Sequence, residues 1–237
     1  NSFSLSIQDT SNDKYLKLYK IKSNLVDYNT DILESSLKFL HQTENIFFSL
    51  DASVFETTKE DYEDKYEFIV PEITFDKNLF NSEDFGSLDL QTNLKVRNYE
   101  TNKLENFLVN DFDWESNEFN FKSGINSKIL ANFKNINYEA KNVSKFKDKT
   151  TNEFFGSLGL LADVNLKKIR GATEHFLTPK FLLKLSPGSM RKQEDDNRLT
   201  PLSAFNLNRI DDIRNYETGV SSTVGFDYEI KKGDSNF

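Results

Sequence analysis

The sequence predicts an all-β fold: about twelve antiparallel strands, connected up and down, in one open curved sheet. Three observations predict it. Side chains alternate with a period of two along most of the chain, and no window of ten or more residues carries a convincing apolar stripe at i, i+3, i+4, although 32–40 can be mistaken for one. The connections between alternating segments also tend to switch between tight and long.

The stretch 152–188 shows the alternation most clearly. Phe154, Gly156, Leu158, Leu160, Ala162, Val164 and Leu166 form one row, and Phe155, Ser157, Gly159, Leu161, Asp163, Asn165 and Lys167 the other. After 169–172 the pattern resumes, with His175, Leu177, Pro179, Phe181, Leu183 and Leu185 against Glu174, Thr178, Lys180 and Lys184. Such rows mark a strand whose two faces meet different surroundings.

In order, the expected strands are 2–8, 14–23, 32–42, 46–56, 65–77, 87–99, 104–114, 118–138, 153–168, 173–186, 202–208 and 220–231. In 87–99, Leu88, Leu90, Thr92, Leu94 and Val96 oppose Asp89, Gln91, Asn93, Lys95 and Arg97. In 118–138, Phe119, Phe121, Ile125, Ile129 and Phe133 oppose Lys122, Asn126, Lys128 and Lys134. The segment 14–23 fits least well, because Leu16 and Leu18 oppose Tyr15, Lys17, Tyr19 and Ile21. Pro71 and Pro179 fall inside strand patterns, where each deletes a ladder donor and marks a bulge, an edge or a weakened pairing.

The connections 43–45, 115–117 and 169–172 are tight, whereas 57–64, 139–152 and 187–201 are long and polar. Short turns at one end and long loops at the other is the layout of an outer-membrane barrel. Two connections blur it, 78–86 being long on the short side and 100–103 short on the long side. Aromatic residues gather near strand ends, at Tyr66, Phe80, Tyr99, Trp114, Phe119, Tyr138 and Phe154, as interfacial girdles do and as β-strands in general also do.

Composition narrows the classes. The chain holds 22 phenylalanines, yet its mean hydropathy is −0.62 and it has no apolar run near the roughly 18 residues of a spanning helix. A net charge of −8 argues against a nucleic-acid partner. With no cysteine and two histidines, His41 and His175, neither disulfides nor a zinc centre is expected, and no metal site is proposed. There is no Gly-rich phosphate loop and no G-x-S-x-G elbow. The acidic pairs Asp111/Asp113 and Glu194/Asp195/Asp196 fit a solvated face and a charged loop, and His175 fits an interfacial or packed position. No catalytic residue, enzyme activity or cofactor is expected. The chain opens on Asn1 inside an alternating segment, which reads as a piece of a longer protein.

Alternation leaves two environments open. In a soluble all-β binding or adhesion domain the apolar rows face a core; in a membrane barrel they face lipid and the polar rows the lumen. A Lys or Arg facing lipid at the midplane costs roughly 2–4 kcal/mol. A barrel must therefore keep its charges to one row of each strand, and most of these strands do.

The segments HFLTPKFLLKLSPGSMR (175–191), AFNLNRIDD (204–212) and YETGVSSTVGFDYEI (216–230) resemble the C-terminal barrel of the LptD family, the lipopolysaccharide-assembly outer-membrane proteins also called organic solvent tolerance proteins. DKYLKLYKI (13–21), DILESSLKF (31–39) and YEFIVPEITFDKNLF (66–80) look like mid-barrel strands of that family. The motif positions are Thr178, Pro179, Lys180, Ser186, Pro187, Asn206, Leu207, Asn208, Arg209, Glu217 and Gly219; Thr218 departs from the pattern, which usually has a second glycine there.

The resemblance implies a transmembrane β-barrel segment spanning 1–237, part of a larger barrel whose N-terminal periplasmic domain and barrel ends are absent. It further implies a Gram-negative outer-membrane location and a role as the wall of a lipopolysaccharide translocon. The partners would be lipopolysaccharide, an LptE-like plug lipoprotein, the periplasmic Lpt bridge and outer-membrane lipid. Asp89, Gln91, Asn93, Lys95, Arg97, Lys122, Asn126, Lys128, Asp163, Asn165, Lys167, Lys180 and Lys184 are the candidate polar lining of the lumen. A passive porin-like barrel fits the alternation equally well.

Overall fold

A computed structural model describes residues 1–24, 26–59, 62–100, 102–191, 200–210 and 212–232. The chain is all-β. Its strands are β1 (Ser2–Ser6), β2 (Ile32–Gln42), β3 (Ile46–Thr57), β4 (Tyr66–Ser82), β5 (Gly86–Tyr99), β6 (Lys103–Glu115), β7 (Phe119–Asn120), β8 (Ile125–Lys141), β9 (Thr151–Val164), β10 (Leu166–Arg170), β11 (Thr173–Ser186) and β12 (Gly219–Lys232). They form one antiparallel twelve-stranded sheet that does not close, in the order β1-β2-β3-β4-β5-β6-β8-β9-β11, with β7 on β8 and both β10 and β12 on β11. The expected bounds of β2 and β11 coincide with the observed ones.

Four expected strands differ. Residues 14–23 hold a one-turn helix, α1 (Tyr15–Tyr19), which begins where Asn12 Oδ1 accepts the Lys14 N–H at 2.8 Å. Its Tyr15 and Tyr19 rings pair at 4.9 Å across i, i+4, and Lys20 ends it in the left-handed region at φ 49°. The strand expected at 118–138 breaks after Asn120 at a turn closed by the Gly124 N–H to the Phe121 carbonyl. Gly124 takes φ +82° there, which places Lys122 in a turn and not in a strand. The strand at 153–168 is interrupted at Asn165. Residues 202–208 form no strand, because successive turns from the Ser203 N–H to the Thr200 carbonyl and from Asn206 to Ser203 coil the backbone back on itself.

Both prolines mark irregularities. Pro71 follows a cis peptide bond in β4, and the β3–β4 register slips by one between Asp51↔Glu72 and Ser53↔Ile69, opposite it. At Pro179 the β9–β11 pairing ends at Asp163↔Lys180 and the β10–β11 pairing begins at Leu166↔Leu177. The lapse leaves the register unchanged, and Thr178 Oγ1 bridges it by donating to Asn165 Oδ1 at 3.0 Å. Because β4 runs on to Ser82, the connection before β5 is only three residues long, which removes one exception to the short-turn pattern.

The sheet divides into two compact units, one of Asn1–Asn78, Leu90–Asn110 and Asn135–Glu153, the other of Leu79–Asp89, Asp111–Lys134 and the chain from Phe154 onward. In the first, Phe107, Val109, Ile136, Tyr138 and Ala140 are buried, and Phe146 from the long polar loop after β8 closes over them. Its ring lies 4.8 Å from Phe107 and 5.6 Å from Tyr138. Tyr138 is therefore a packing residue and not an exposed girdle aromatic, whereas Tyr66 is exposed, as are Phe80, Phe119 and Phe154 in the second unit.

In the second unit burial runs opposite to that of a soluble sheet. Phe181, Leu183 and Leu185 of β11 are exposed, while Leu182, Lys184 and Ser186 on the other row are buried. Leu160 is 44% exposed and Val224 79%, whereas Phe155 and Ser157 are buried. Across the exposed face Phe112, Phe133 and Phe154 touch in sequence, with ring centroids 6.2 and 5.9 Å apart. The polar rows of β9 and β11 therefore have a covering layer, and among the described residues the apolar rows of these strands have none.

Candidate functional site

The layer over the polar face of the second unit is formed by residues 200–210 and 212–218, which carry the AFNLNR motif and the first residues of the motif at 216–230. Leu207 is buried over Gly159 of β9, so closely that a Cβ on that glycine would fall 2.6 Å from Leu207 Cδ2. Phe205 lies over Gly225 of β12, where a Cβ would meet its ring at 3.0 Å. In both places a glycine on the polar row makes room for a large side chain coming from above.

Polar contacts fix the rest of the segment. Asn208 Oδ1 accepts the backbone N–H of Glu217 at 3.1 Å and so ties the arm at 206–209 to the arm at 215–217. Arg209 Nε donates to Glu217 Oε2 at 2.8 Å, and its Nη2 pairs with Oε1, a two-point fork. Lys184 Nζ, on a residue 2% exposed, lies 3.0 Å from the same Oε2. Burial pushes the Glu217 carboxyl up, but the hydrogen bonds from Arg209 and then Lys184 outweigh it and hold the group at about 2.

Beside it, Tyr216 is fully buried, with its ring stacked 5.9 Å from Phe155. Burial raises its phenol above the ordinary value, only partly offset by the hydrogen bond with Ser157. Lys134 Nζ pairs with Asp111 Oδ2 at 2.8 Å, donates to the Ile213 carbonyl at 3.4 Å and sits 5.5 Å from the Tyr216 ring. Asn132 Nδ2 bridges Asp111 at 2.5 Å and Asp113 at 2.7 Å. Between the segment and these carboxylates lies a cleft of about 620 Å³, walled by Asp89, Asp113, Trp114, Glu115 and residues 205–208. Lys134 and Lys184, the buried charges among the described residues of this layer, each have an opposite charge within reach. The arrangement binds and holds; among the described residues no group of three or more His, Cys, Asp or Glu is placed to hold a metal ion.

The candidate lining residues occupy several settings. In the first unit Gln91 is exposed, Asn93 donates to Thr74 Oγ1 at 3.2 Å, Lys95 pairs with Glu72 at 3.0 Å, and Arg97 pairs with Glu67 at 2.6 Å while lying 4.0 Å from the Tyr99 ring. In the second unit Asp89 accepts from Ser87 at 3.4 Å and Lys122 is exposed in its turn. Asn126 donates to Asp163 at 3.0 Å, Lys128 pairs with Glu115 at 3.0 Å, Lys167 with Glu174 at 2.8 Å and Lys180 with Asp227. Asn165 accepts from Thr178, and Lys184 joins the Glu217 cluster.

Of the motif positions, Asn206, Leu207, Asn208, Arg209 and Glu217 come together over the sheet. Ser186 is fully buried and donates to the Gly156 carbonyl at 3.0 Å. Pro187 is exposed just past β11, and Gly219 opens β12 at φ +112°, a conformation that requires glycine. Thr218, the departure from the pattern, accepts the Met190 N–H on its Oγ1 at 3.1 Å. Asp111 is half-buried and Asp113 exposed on the same row of β6, where Asn132 bridges them. His175 Nδ1 lies 2.7 Å from Tyr228 Oη on the exposed face, and His41 Nδ1 is 2.5 Å from Asn1 Oδ1. Glu194, Asp195 and Asp196 lie outside the described residues.

Sequence reasoning missed Tyr216, Lys134, Asn132 and Ser157 as members of one cluster. The available signal was Gly159 and Gly225, both on polar rows, where a strand has no need of glycine. No family model matches the chain, and no curated protein matches it.

Proposed function

We propose that the chain is a stretch of the wall of an outer-membrane lipopolysaccharide translocon of the LptD kind, without catalytic activity. The observation that carries this is the inverted burial in the second unit: large apolar side chains such as Leu160, Leu183 and Val224 stand exposed on one face, while Lys134 and Lys184 on the other are buried and paired with Asp111 and Glu217. Lipid on the exposed face explains both, because an apolar row is stable there and a charge is not.

The lipopolysaccharide assignment rests on the motifs. LTPKFLLKLSPG, AFNLNR and YETG supply the residues of the Lys184–Glu217–Arg209 cluster and its surroundings, so the motif positions have a shared structural purpose. In this reading the polar face lines a lumen that admits sugar chains and accommodates an LptE-like plug lipoprotein. The periplasmic Lpt bridge delivers lipopolysaccharide through another part of the protein.

The test is assembly and crosslinking of the full-length protein in cells. A photo-crosslinking residue at Lys95 or Asn93 is expected to capture lipopolysaccharide, and one at Leu160 to capture phospholipid. A protein that assembles in the outer membrane, conducts ions and yields no lipopolysaccharide adduct from any polar-row position is a porin-like barrel. One recovered entirely in the soluble fraction returns the chain to the adhesion-domain reading.

A further inference from the structure

Three neighbouring strands of the second unit share a covering, and one of the two seams between them has a weakness. The weakness is Pro179, which cannot donate to the ladder, and opposite which the pairing between β11 and the β9–β10 run lapses. The covering is formed by residues 205–210 and 212–217, which place at least one side chain on each of the three. Leu207 lies over Gly159 of β9, Glu217 meets Lys184 of β11, and Phe205 lies over Gly225 of β12.

The positions are not scattered. Gly159 is the cross-strand partner of Lys184, so Leu207 and Glu217 act on the same rung of the β9–β11 pair. Gly225 is the partner of Lys180, one residue from Pro179, so Phe205 presses on β12 next to the lapse. Tyr216 adds a second hold on β9 through Ser157. An exposed loop that merely connected β11 to β12 would need none of these contacts, and it would not bury a tyrosine completely or draw a lysine into an ion pair on the sheet.

We propose that residues 205–210 and 212–217 are an internal brace, which ties β9, β11 and β12 together beside the rung of the β9–β11 seam that Pro179 leaves without a donor. In a membrane wall this matters, since water cannot satisfy an opened ladder from the lipid side. The side chains of the brace supply from the lumen side the cross-strand restraint that the backbone lacks. The brace goes beyond the transport reading, because it concerns how this part of the wall stays shut and applies whatever passes beside it.

Deuterium exchange on the full-length protein in phospholipid nanodiscs tests it, comparing wild type with Glu217→Lys, the charge-swapped Lys184→Glu/Glu217→Lys and the milder Leu207→Ala. The brace predicts that amides of β11 and β12 near Pro179 exchange about tenfold faster in Glu217→Lys and Leu207→Ala, and return to within about twofold of wild type in the swapped pair. The idea is overturned if amides of 205–217 speed up in both single variants while those of β11 and β12 stay within about twofold of wild type. Where Glu217→Lys fails to assemble, Leu207→Ala decides alone by the same two outcomes. Phospholipid crosslinking from Leu160 in the same samples separates this question from the membrane assignment, as the brace can fail while that crosslink persists.

Discussion

The Tyr216 and Ser157 hydroxyl oxygens lie 2.5 Å apart, a hydrogen bond that joins points 59 residues apart in the chain. It lies under the covering segment, beyond the reach of solvent. Tyr216→Phe deletes this bond and keeps the ring on Phe155, so a loss of about 0.5–1.5 kcal/mol is expected. Tyr216→Ala also removes the packed ring, with a loss of about 3–5 kcal/mol. The urea midpoint of the refolded, lipid-inserted protein measures both, and equal losses in the two variants would mean that the ring contributes nothing.

The facing of the strands makes a separate prediction. Leu160 and Val224 stand exposed on the apolar face, so under the proposed membrane reading an arginine at either is expected to cost about 2–4 kcal/mol in lipid and to lower the yield of assembled protein. Leu94→Arg tests the same row of β5. Gln91→Ala, on the opposite row and exposed, is expected to leave assembly unchanged. Heat-modifiable mobility of the outer-membrane fraction reads the outcome, and normal assembly of Leu160→Arg would reverse the assigned facing.

What could be read in advance follows from the range of each interaction. β11 was legible to the residue because its long alternating run leaves little freedom, and the bounds of β2 coincide as well although the spacing at 32–40 can be mistaken for a helical stripe. The helix α1 was not, since Leu16 and Leu18 alternate with polar neighbours over only a few residues and the deciding contacts, the Asn12 turn and the Tyr15–Tyr19 pair, are helical ones. Gly124 marked the break after β7 and passed unrecognised inside a longer alternating run. The covering segment was legible as a motif and not as a structure: Leu207 and Tyr216 gain meaning only when Gly159 and Ser157, far away in the chain, are brought beneath them. Pro179 was legible as a weak point because its missing N–H is local chemistry.

That missing donor gives a third prediction. Pro179 is exposed on the apolar row of β11 opposite Phe226, so a β-branched apolar residue suits both the surroundings and the backbone. Pro179→Val returns a donor to the ladder and is expected to raise stability by about 1 kcal/mol. An upward shift of the urea midpoint checks it; a fall would show that the proline's fixed backbone angle is itself needed where Thr178 bridges to Asn165.

Acid should release the covering segment by a defined route. The Glu217 carboxyl is held at about 2 by Arg209 and Lys184 against burial, below its ordinary 4.5. A group lowered on folding contributes its full stability above the ordinary value and loses that contribution as the pH falls through the folded one. The docked state should therefore be indifferent between pH 7 and pH 5, weaken below 4.5 and be lost near 2. Spin labels at Asn206 and Ser222, read by electron paramagnetic resonance, should give one narrow distance from pH 7 to 5 and a broadening distribution below 4.5. Glu217→Gln should broaden that distribution at every pH, since the neutral amide leaves Arg209 and Lys184 facing each other without an anion. Release already at pH 6 in the wild type would assign the lock to a different titrating group and remove Glu217 from the centre of the cluster.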